Sequence, residues 1–314
     1  MNPELVTRTA ALTQPTERTP RRIGVPVFSY AGFDHFERDL RARGFYTVNL
    51  GDNVQSIALR RLLTAFGIAA DTLIDIDRDT LRDYDGPPVR LVMNARFMPF
   101  SFPLPPQIEP IFIGFSADET TIAAAENDLR AHQPIGCRDP ATCALLLQRG
   151  IAAYVAGCVT FTLPPRDDDG AARLYIAYGA GAGDLPPGLL KHVPAELLDT
   201  AVFVSQRLAA GVYPLGVAER RHMENVATGL LDVYRREARW LLTPLHHAAS
   251  PCMAMGIPVT LARIDHNSRF GLLAGLTRLY QPHEFSNAMF PPQRADVEAI
   301  RAAYTADLCH RLGL

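Results

Sequence analysis

The sequence predicts an α/β protein of two doubly wound, Rossmann-like domains facing a cleft. Three observations carry that expectation. Strand-like and helix-like segments alternate from Arg22 to about Leu163, the pattern of a parallel sheet with helices on both faces. A polar, turn-rich stretch, Pro164-Pro-Arg-Asp-Asp-Asp-Gly170, then interrupts them. A second alternating set begins at Leu174. A chain of 314 residues, 48% of them hydrophobic, suits two cores better than one. The expected division is a loose polar tail over 1–21, a first domain over 22–165, a second over 166–290, and a terminal helix over 291–314. That last helix is placed to cross back onto the first domain.

The elements follow in order. Arg22 to Tyr30 reads as a first strand, and Phe33 to Arg43 has helical spacing through Phe33, Phe36 and Leu40. Phe45 to Val48 is strand-like and Asn49 to Asp52 is a turn. Val54 to Phe66 is an amphipathic helix with Ile57, Ala58, Leu62 and Leu63 inward, and Asp52 suits its N-cap. Thr72 to Asp75, Val89 to Asn94 and Ile111 to Phe115 are further strands. The Pro-rich stretch from Phe97 to Pro110 is long enough to be a functional loop. Ala117 to His132 is helical, Asp139 suits the N-cap of a helix through Leu145 to Gln148, and Ile151 to Val155 is a strand. In the second set, Ala201 to Ser205 is a strand. Ala218 to Arg239 is a helix with Val226, Leu230, Val233 and Tyr234 on one face.

Composition excludes several classes. A net charge of -2 gives no basic face for nucleic acid. The apolar runs are much shorter than the roughly 18 residues of a membrane span. Met1 to Arg22 has no apolar core of a secretory signal. Five cysteines, an odd number without a CxxC pair, argue against a disulfide framework or a zinc site and for free thiols in a reducing cytoplasm.

The most informative stretch is Trp240 to Ala262. Trp240 to Thr243 is a short strand stopped by Pro244. His246 and His247 stand at the mouth of the turn, Ala248 to Met255 is a short helix, and Ile257 to Ala262 resumes a buried strand. Strand-to-helix turns of open α/β sheets collect anionic ligands, because free N–H groups and the positive helix end point there. The two histidines therefore face a donor phosphate. Adjacent histidines diverge on a helix or strand, so no metal is expected at them. Gly179-Ala-Gly-Ala-Gly-Asp184 matches no phosphate-loop spacing and reads as a plain loop. Ser250 lacks the G-x-S-x-G elbow and Cys252 reads as packing. Arg138 is either solvated beside its capping neighbour Asp139 or aimed into the cleft at an anion.

Four stretches of this chain resemble the polysaccharide pyruvyl transferases. Asn49-Leu-Gly-Asp52 is similar to an N-x-G-D motif before a helix. Leu91-Val-Met-Asn-Ala-Arg-Phe97, followed by Ile111-Phe-Ile-Gly-Phe-Ser116, is similar to an N-G-W-F segment and a strand ending S-F-H. Pro134-Ile-Gly-Cys-Arg-Asp139 and Val155-Ala-Gly-Cys-Val-Thr-Phe-Thr-Leu163 resemble P-I-G-C-R-D and S-G-C-L-T-L-T-L. Thr243 to Val259 resembles T-S-R-L-H-C-A-L-P-C-L-A-F-G-T-P-V. The likeness runs from about Val48 to Leu273.

The resemblance implies a glycosyltransferase-B-like fold. It also implies transfer of a pyruvyl group from phosphoenolpyruvate, a co-substrate rather than a cofactor, onto two hydroxyls of a cell-surface glycan precursor as a ketal. It places His247 and Arg138 in the catalytic role, with Asn49, Asp52 and Asn94 around the donor; His246, which stands where the family has leucine, and Arg269 are read as further donor-binding residues in place of the family's missing arginine. The enzyme is then cytoplasmic, not integral to the membrane, and at most peripheral to a lipid-linked acceptor. Several positions depart from the pattern. The family's arginine before the histidine falls on Leu245, its serine on Pro244, G-W on Ala95-Arg96, and the histidine of S-F-H on Ser116. Losing one cation from an anion pocket removes hydrogen bonds worth roughly 1.5–3 kcal/mol each. Two other readings stay open. One is a transferase of the same fold using a nucleotide sugar or another phosphorylated donor on a non-polysaccharide acceptor. The other is an inactive partner subunit that keeps the fold.

Overall fold

The computed structural model describes residues 22–167, 173–181, 184–265 and 267–314. The expected tail over 1–21, the linker residues Asp168 to Gly170, Gly183 of the glycine-rich loop and His266 lie outside the described residues.

The first half runs β1 (Arg22–Val27), α1 (Asp34–Arg43), β2 (Tyr46–Asn49), α2 (Leu50–Ala65), β3 (Leu73–Asp77), β4 (Val89–Val92), β5 (Ile108–Ile111), β6 (Ile113–Phe115), α3 (Glu119–Ala124), α4 (Glu126–Ala131), β7 (Ile135–Cys137), α5 (Pro140–Gln148) and β8 (Ala153–Val155). Its strands lie in the orders β3-β1-β4-β5 and β6-β7-β8, every pair parallel. Phe112 alone separates β5 from β6, so one chain segment passes the sheet on from β4 to β7. The inner strands are near-continuous apolar runs because helices cover both faces.

The second half runs β9 (Arg173–Tyr178), α6 (Ala195–Leu198), β10 (Val202–Ser205), β11 (Arg207–Ala210), α7 (Val217–Glu237), β12 (Ala238–Thr243), α8 (His246–Ala254), β13 (Val259–Ala262), α9 (Gly271–Leu276), β14 (Leu279–Tyr280) and α10 (Glu298–Leu312). Its sheet has the order β10-β9-β12-β13-β14, again all parallel. Both halves are therefore Rossmann-like α/β layers. Among the described residues no helix is long and apolar enough to cross a membrane.

Three features depart from the sequence reading. First, β11 pairs antiparallel with β2, so a segment of the second half crosses to the first, with Arg207 opposite Asn49. No local pattern announces it. Second, α2 begins at Leu50 and not at Val54. Its N-cap is Asn49, whose side chain accepts from Gly51 N at 3.1 Å, and Asp52 sits in the first turn. Third, α2 is buried well beyond its apolar stripe, including Asn53, Gln55 and Ser56. It lies between the first sheet, where Ser56 Oγ donates to Pro26 O at 2.6 Å, and α7, where Arg60 pairs with Glu224 at 3.1 Å. A helix covered on both sides keeps few positions for solvent.

One contiguous apolar core runs under both sheets, from Val25 and Leu91 through Leu59 and Leu63 to Leu241 and Leu261. A smaller one, around Ile176, Leu242 and Phe285, lies on the far face of the second sheet. Helix α10 lies against the first sheet: Tyr304 Oη donates to Ile113 O, Arg90 donates to the carbonyls of Arg311 and Leu312, and Tyr154 hydrogen-bonds Asp307. All five cysteines are free thiols, four of them buried.

Candidate functional site

The carboxyl ends of both parallel sheets open onto one cleft of about 520 Å³. From the first half come Tyr30 after β1, Asn49 and Asp52 at the β2–α2 junction, Arg78 after β3, Arg96 after β4 and Arg138 after β7. From the second come Gly179 after β9, Gln206 and Arg207 at the β10–β11 turn, Leu245, His246 and His247 after β12, and Arg263 and Arg269 after β13. Ligands gather at this end of such sheets because the loops there are free to vary and backbone donors face outward.

The lining is rich in arginine. Arg78, Arg96, Arg138, Arg207, Arg263 and Arg269 line the cleft, against the single carboxylate of Asp52. Four of the six are held by neighbouring acids. Arg78 pairs with Asp79 at 2.6 Å, Arg96 with Asp118 at 2.9 Å, Arg263 with Asp265 at 2.6 Å and Arg138 with Asp139 at 3.7 Å. Among the described residues Arg207 and Arg269 have no carboxylate partner. Burial, helped by Arg96 and Arg138 nearby, lowers Arg269 to about 10. A guanidinium made less content with its charge in this way is stabilised by any anion that enters.

Arg138 is buried and fixed. Its Nη2 donates to Ser116 Oγ at 2.7 Å, and that hydroxyl donates to Asp139 Oδ2 at 2.9 Å. Asp139 is the N-cap of α5, accepting from Thr142 N at 2.9 Å, as its position before a helix predicts. The two readings of Arg138 are thus resolved toward the cleft, with its capping neighbour as anchor.

The histidines differ from their expected placement. Neither stands outside the helix: both are in the first turn of α8, capped by Leu245. Nor do they diverge. Their ring centroids lie 4.9 Å apart, and Cys158 Sγ lies 3.8 Å from His247 Nε2. Side chains of a first turn lean back toward the helix N-terminus, so two successive long ones can reach the same mouth. Burial lowers both imidazoles well below their usual range. Arg138, Arg269 and Arg263 add to this at His246, and His246, Arg138 and Arg269 at His247. Both effects favour the neutral form of the rings.

Among the described residues Asp52 is the one carboxylate of the cleft lining. It accepts from Tyr30 Oη at 3.1 Å, beside Asn49 O at 3.3 Å. A carboxylate repels a phosphate but suits an incoming hydroxyl. Tyr30 itself is a non-glycine residue at φ 62, anchored by its N–H to Asp79 Oδ2 at 2.7 Å. Such a left-handed residue at a cleft is backbone strain held by its surroundings. Asn94 is not in the lining: it is buried beneath Gly114, its Oδ1 without a hydrogen-bond partner. His247, His246, Arg138, Arg269, Asn49 and Asp52 are therefore brought together, and Asn94 is not.

Arg78, Arg207 and Arg263 carry no motif in the sequence that marks them as ligands, and Arg96 stands there only as a departure from G-W, yet all four line the cleft. Arg263 matters most. Its guanidinium donates to Pro244 O and stacks 4.3 Å over Phe270. It therefore puts a cation next to Leu245. The available signal was a lone arginine directly after the buried apolar strand Val259–Ala262. No family model matches the chain, and no curated protein matches it.

Proposed function

We propose that the protein is a pyruvyl transferase-like enzyme built as two Rossmann-like domains in a glycosyltransferase-B-like arrangement, acting in the cytoplasm. One observation supports this reading above the others: arginines from both sheets converge on His246 and His247, two of them, Arg207 and Arg269, without a carboxylate partner among the described residues. Phosphoenolpyruvate carries a phosphate and a carboxylate on a small frame, and several guanidinium forks suit both groups. Arg138, Arg269 and Arg263 hold the donor, with Arg263 taking the place of the arginine that Leu245 replaces.

In the reaction a proton goes to the enol methylene carbon and an acceptor hydroxyl adds to the neighbouring carbon. A second hydroxyl then displaces phosphate, which leaves with that hydroxyl's proton, and the ketal closes. His247 is assigned the proton transfer to the methylene carbon: the anionic donor offsets the surrounding arginines and favours the imidazolium that supplies that proton. Asp52, hydrogen-bonded to Tyr30, is the group assigned to take the proton of the attacking hydroxyl. The acceptor is a glycan precursor.

A nucleotide sugar is the second reading. Gly179 and Ala180 at the end of β9 also line the cleft and leave room for a larger donor. Thermal shift with phosphoenolpyruvate and with a nucleotide-sugar panel separates the readings. Stabilisation by phosphoenolpyruvate alone supports the first. Stabilisation by a nucleotide and none by phosphoenolpyruvate overturns it. Silence toward every donor points to a non-catalytic partner subunit.

A further inference from the structure

Cys158 lies 89 residues before His247 in the sequence, yet its sulfur and the ligand atoms of the adjacent His246 and His247 all lie within 4.8 Å of one another. The 3.8 Å from Cys158 Sγ to His247 Nε2 is close to the separation of about 3.6 Å that a sulfur and a nitrogen have on one tetrahedral zinc. His246 Nε2 is buried and has no hydrogen-bond partner. A buried imidazole nitrogen left unpaired is costly, and a metal ion is one group that would satisfy it. We propose that this trio binds a thiophilic divalent cation, zinc being the best fit, with a fourth position open to the cleft.

The supporting frame is rigid. Cys158 is the residue before a 3-10 turn over Val159–Thr162, and the histidines open α8. The two segments are tied by the buried Thr160 Oγ1 to Ser250 Oγ contact at 2.7 Å, and Ser250 Oγ in turn donates to His246 O at 3.0 Å. Neutral imidazoles are the form that binds a metal. Zinc with one thiolate and two imidazoles carries a net positive charge, and Arg138 and Arg269 add to it. The fourth ligand is therefore an anion drawn from the cleft, which the same arginines hold. Three protein ligands and one exchangeable position is the arrangement of open zinc sites. An occupied site takes the lone pair of His247 away from proton transfer, so bound zinc suppresses any reaction that needs that nitrogen. The metal site does not depend on the pyruvyl transfer reading, because its ligands are defined without a donor.

The test uses the full chain, stripped with a chelator and titrated with Co²⁺. The expected result is one cobalt per chain, visible ligand-field bands of tetrahedral intensity, and a near-ultraviolet sulfur-to-cobalt charge-transfer band. Zn²⁺ displaces the cobalt and erases the bands. Cys158→Ser removes the charge-transfer band and weakens binding by more than roughly tenfold, a loss at least as large as outer-shell changes cause. His246→Asn shifts the ligand-field bands, and Cys309→Ser, at the one cysteine that is not buried, leaves them unchanged. Absence of stoichiometric cobalt on the unmodified chain overturns the proposal, whatever the variants do. So does a charge-transfer band that survives Cys158→Ser.

Discussion

Gly51→Ala tests a close approach between the two halves. Gly51 is the second residue of α2 and is buried. A Cβ there would lie 2.7 Å from His247 Cβ, 3.0 Å from His247 Nδ1 and 3.1 Å from Asn49 Oδ1. Carbon atoms in comfortable contact stand about 3.5–4.0 Å apart, so the overlap is about 1 Å. The first atom met is a Cβ, which no rotamer change can move. Either α2 or α8 must shift. Overpacking of this kind costs about 1–3 kcal/mol, against which alanine regains about 0.5–1 kcal/mol of helix propensity. The net expectation is a loss of about 1–2 kcal/mol. A shift of about 1 Å at His247 also matters for binding, because misplacement on that scale can cost up to about 10²-fold in a reaction that needs the geometry. Gly229→Ala is the control: it is exposed within α7, with nothing within 4 Å of the added carbon. It should gain about 0.5–1 kcal/mol. Urea denaturation of both variants reads stability, and titration calorimetry with phosphoenolpyruvate reads the site. If Gly51→Ala gains stability like Gly229→Ala and binds anions as tightly as the parent, α2 and α8 do not meet as described.

Asp139→Asn should destabilise by about 3 kcal/mol, because it leaves the buried Arg138 without its neighbouring carboxylate; an unchanged urea midpoint would remove Asp139 as the anchor. Asp118 supplies a pH dependence. Burial raises its carboxyl, but hydrogen bonds from Thr121 and Thr120, together with Arg96, outweigh this and bring it from 3.8 to about 2. A depressed acid contributes stability that is full above its unfolded value and is lost as pH falls, here from about 4 toward 2. The side chain is 43% exposed, so the contribution is discounted to about 1 kcal/mol. Stability curves of the parent and Asp118→Asn should converge over that interval; parallel curves would mean the helix cap carries no charge effect.

Much of this protein is decided by local sequence. The alternation of apolar strands and periodic helices determines the parallel α/β layers, because period and burial are properties of neighbouring residues. Asp139 before Pro140 marks a helix start for the same reason. The histidines after β12 and Arg138 after β7 are readable as cleft residues because carboxyl ends of parallel strands face one side. Other features depend on partners distant in the chain. The β2–β11 pairing joins residues about 160 apart and follows from how the halves pack, so no window of sequence contains it. Burial of Asn53, Gln55 and Ser56 comes from segments distant in the chain that pack around α2, as in the bond of Ser56 to Pro26 O and that of Arg138 to Gln55. Arg263 becomes a cleft cation only because β13 lies beside β12 and turns its end toward Pro244. Asn94, whose segment resembles a donor motif, is instead packed beneath Gly114. Adjacent histidines should diverge on an ideal helix. Only the tertiary structure, which brings Cys158 and the first turn of α8 to one mouth, makes them converge.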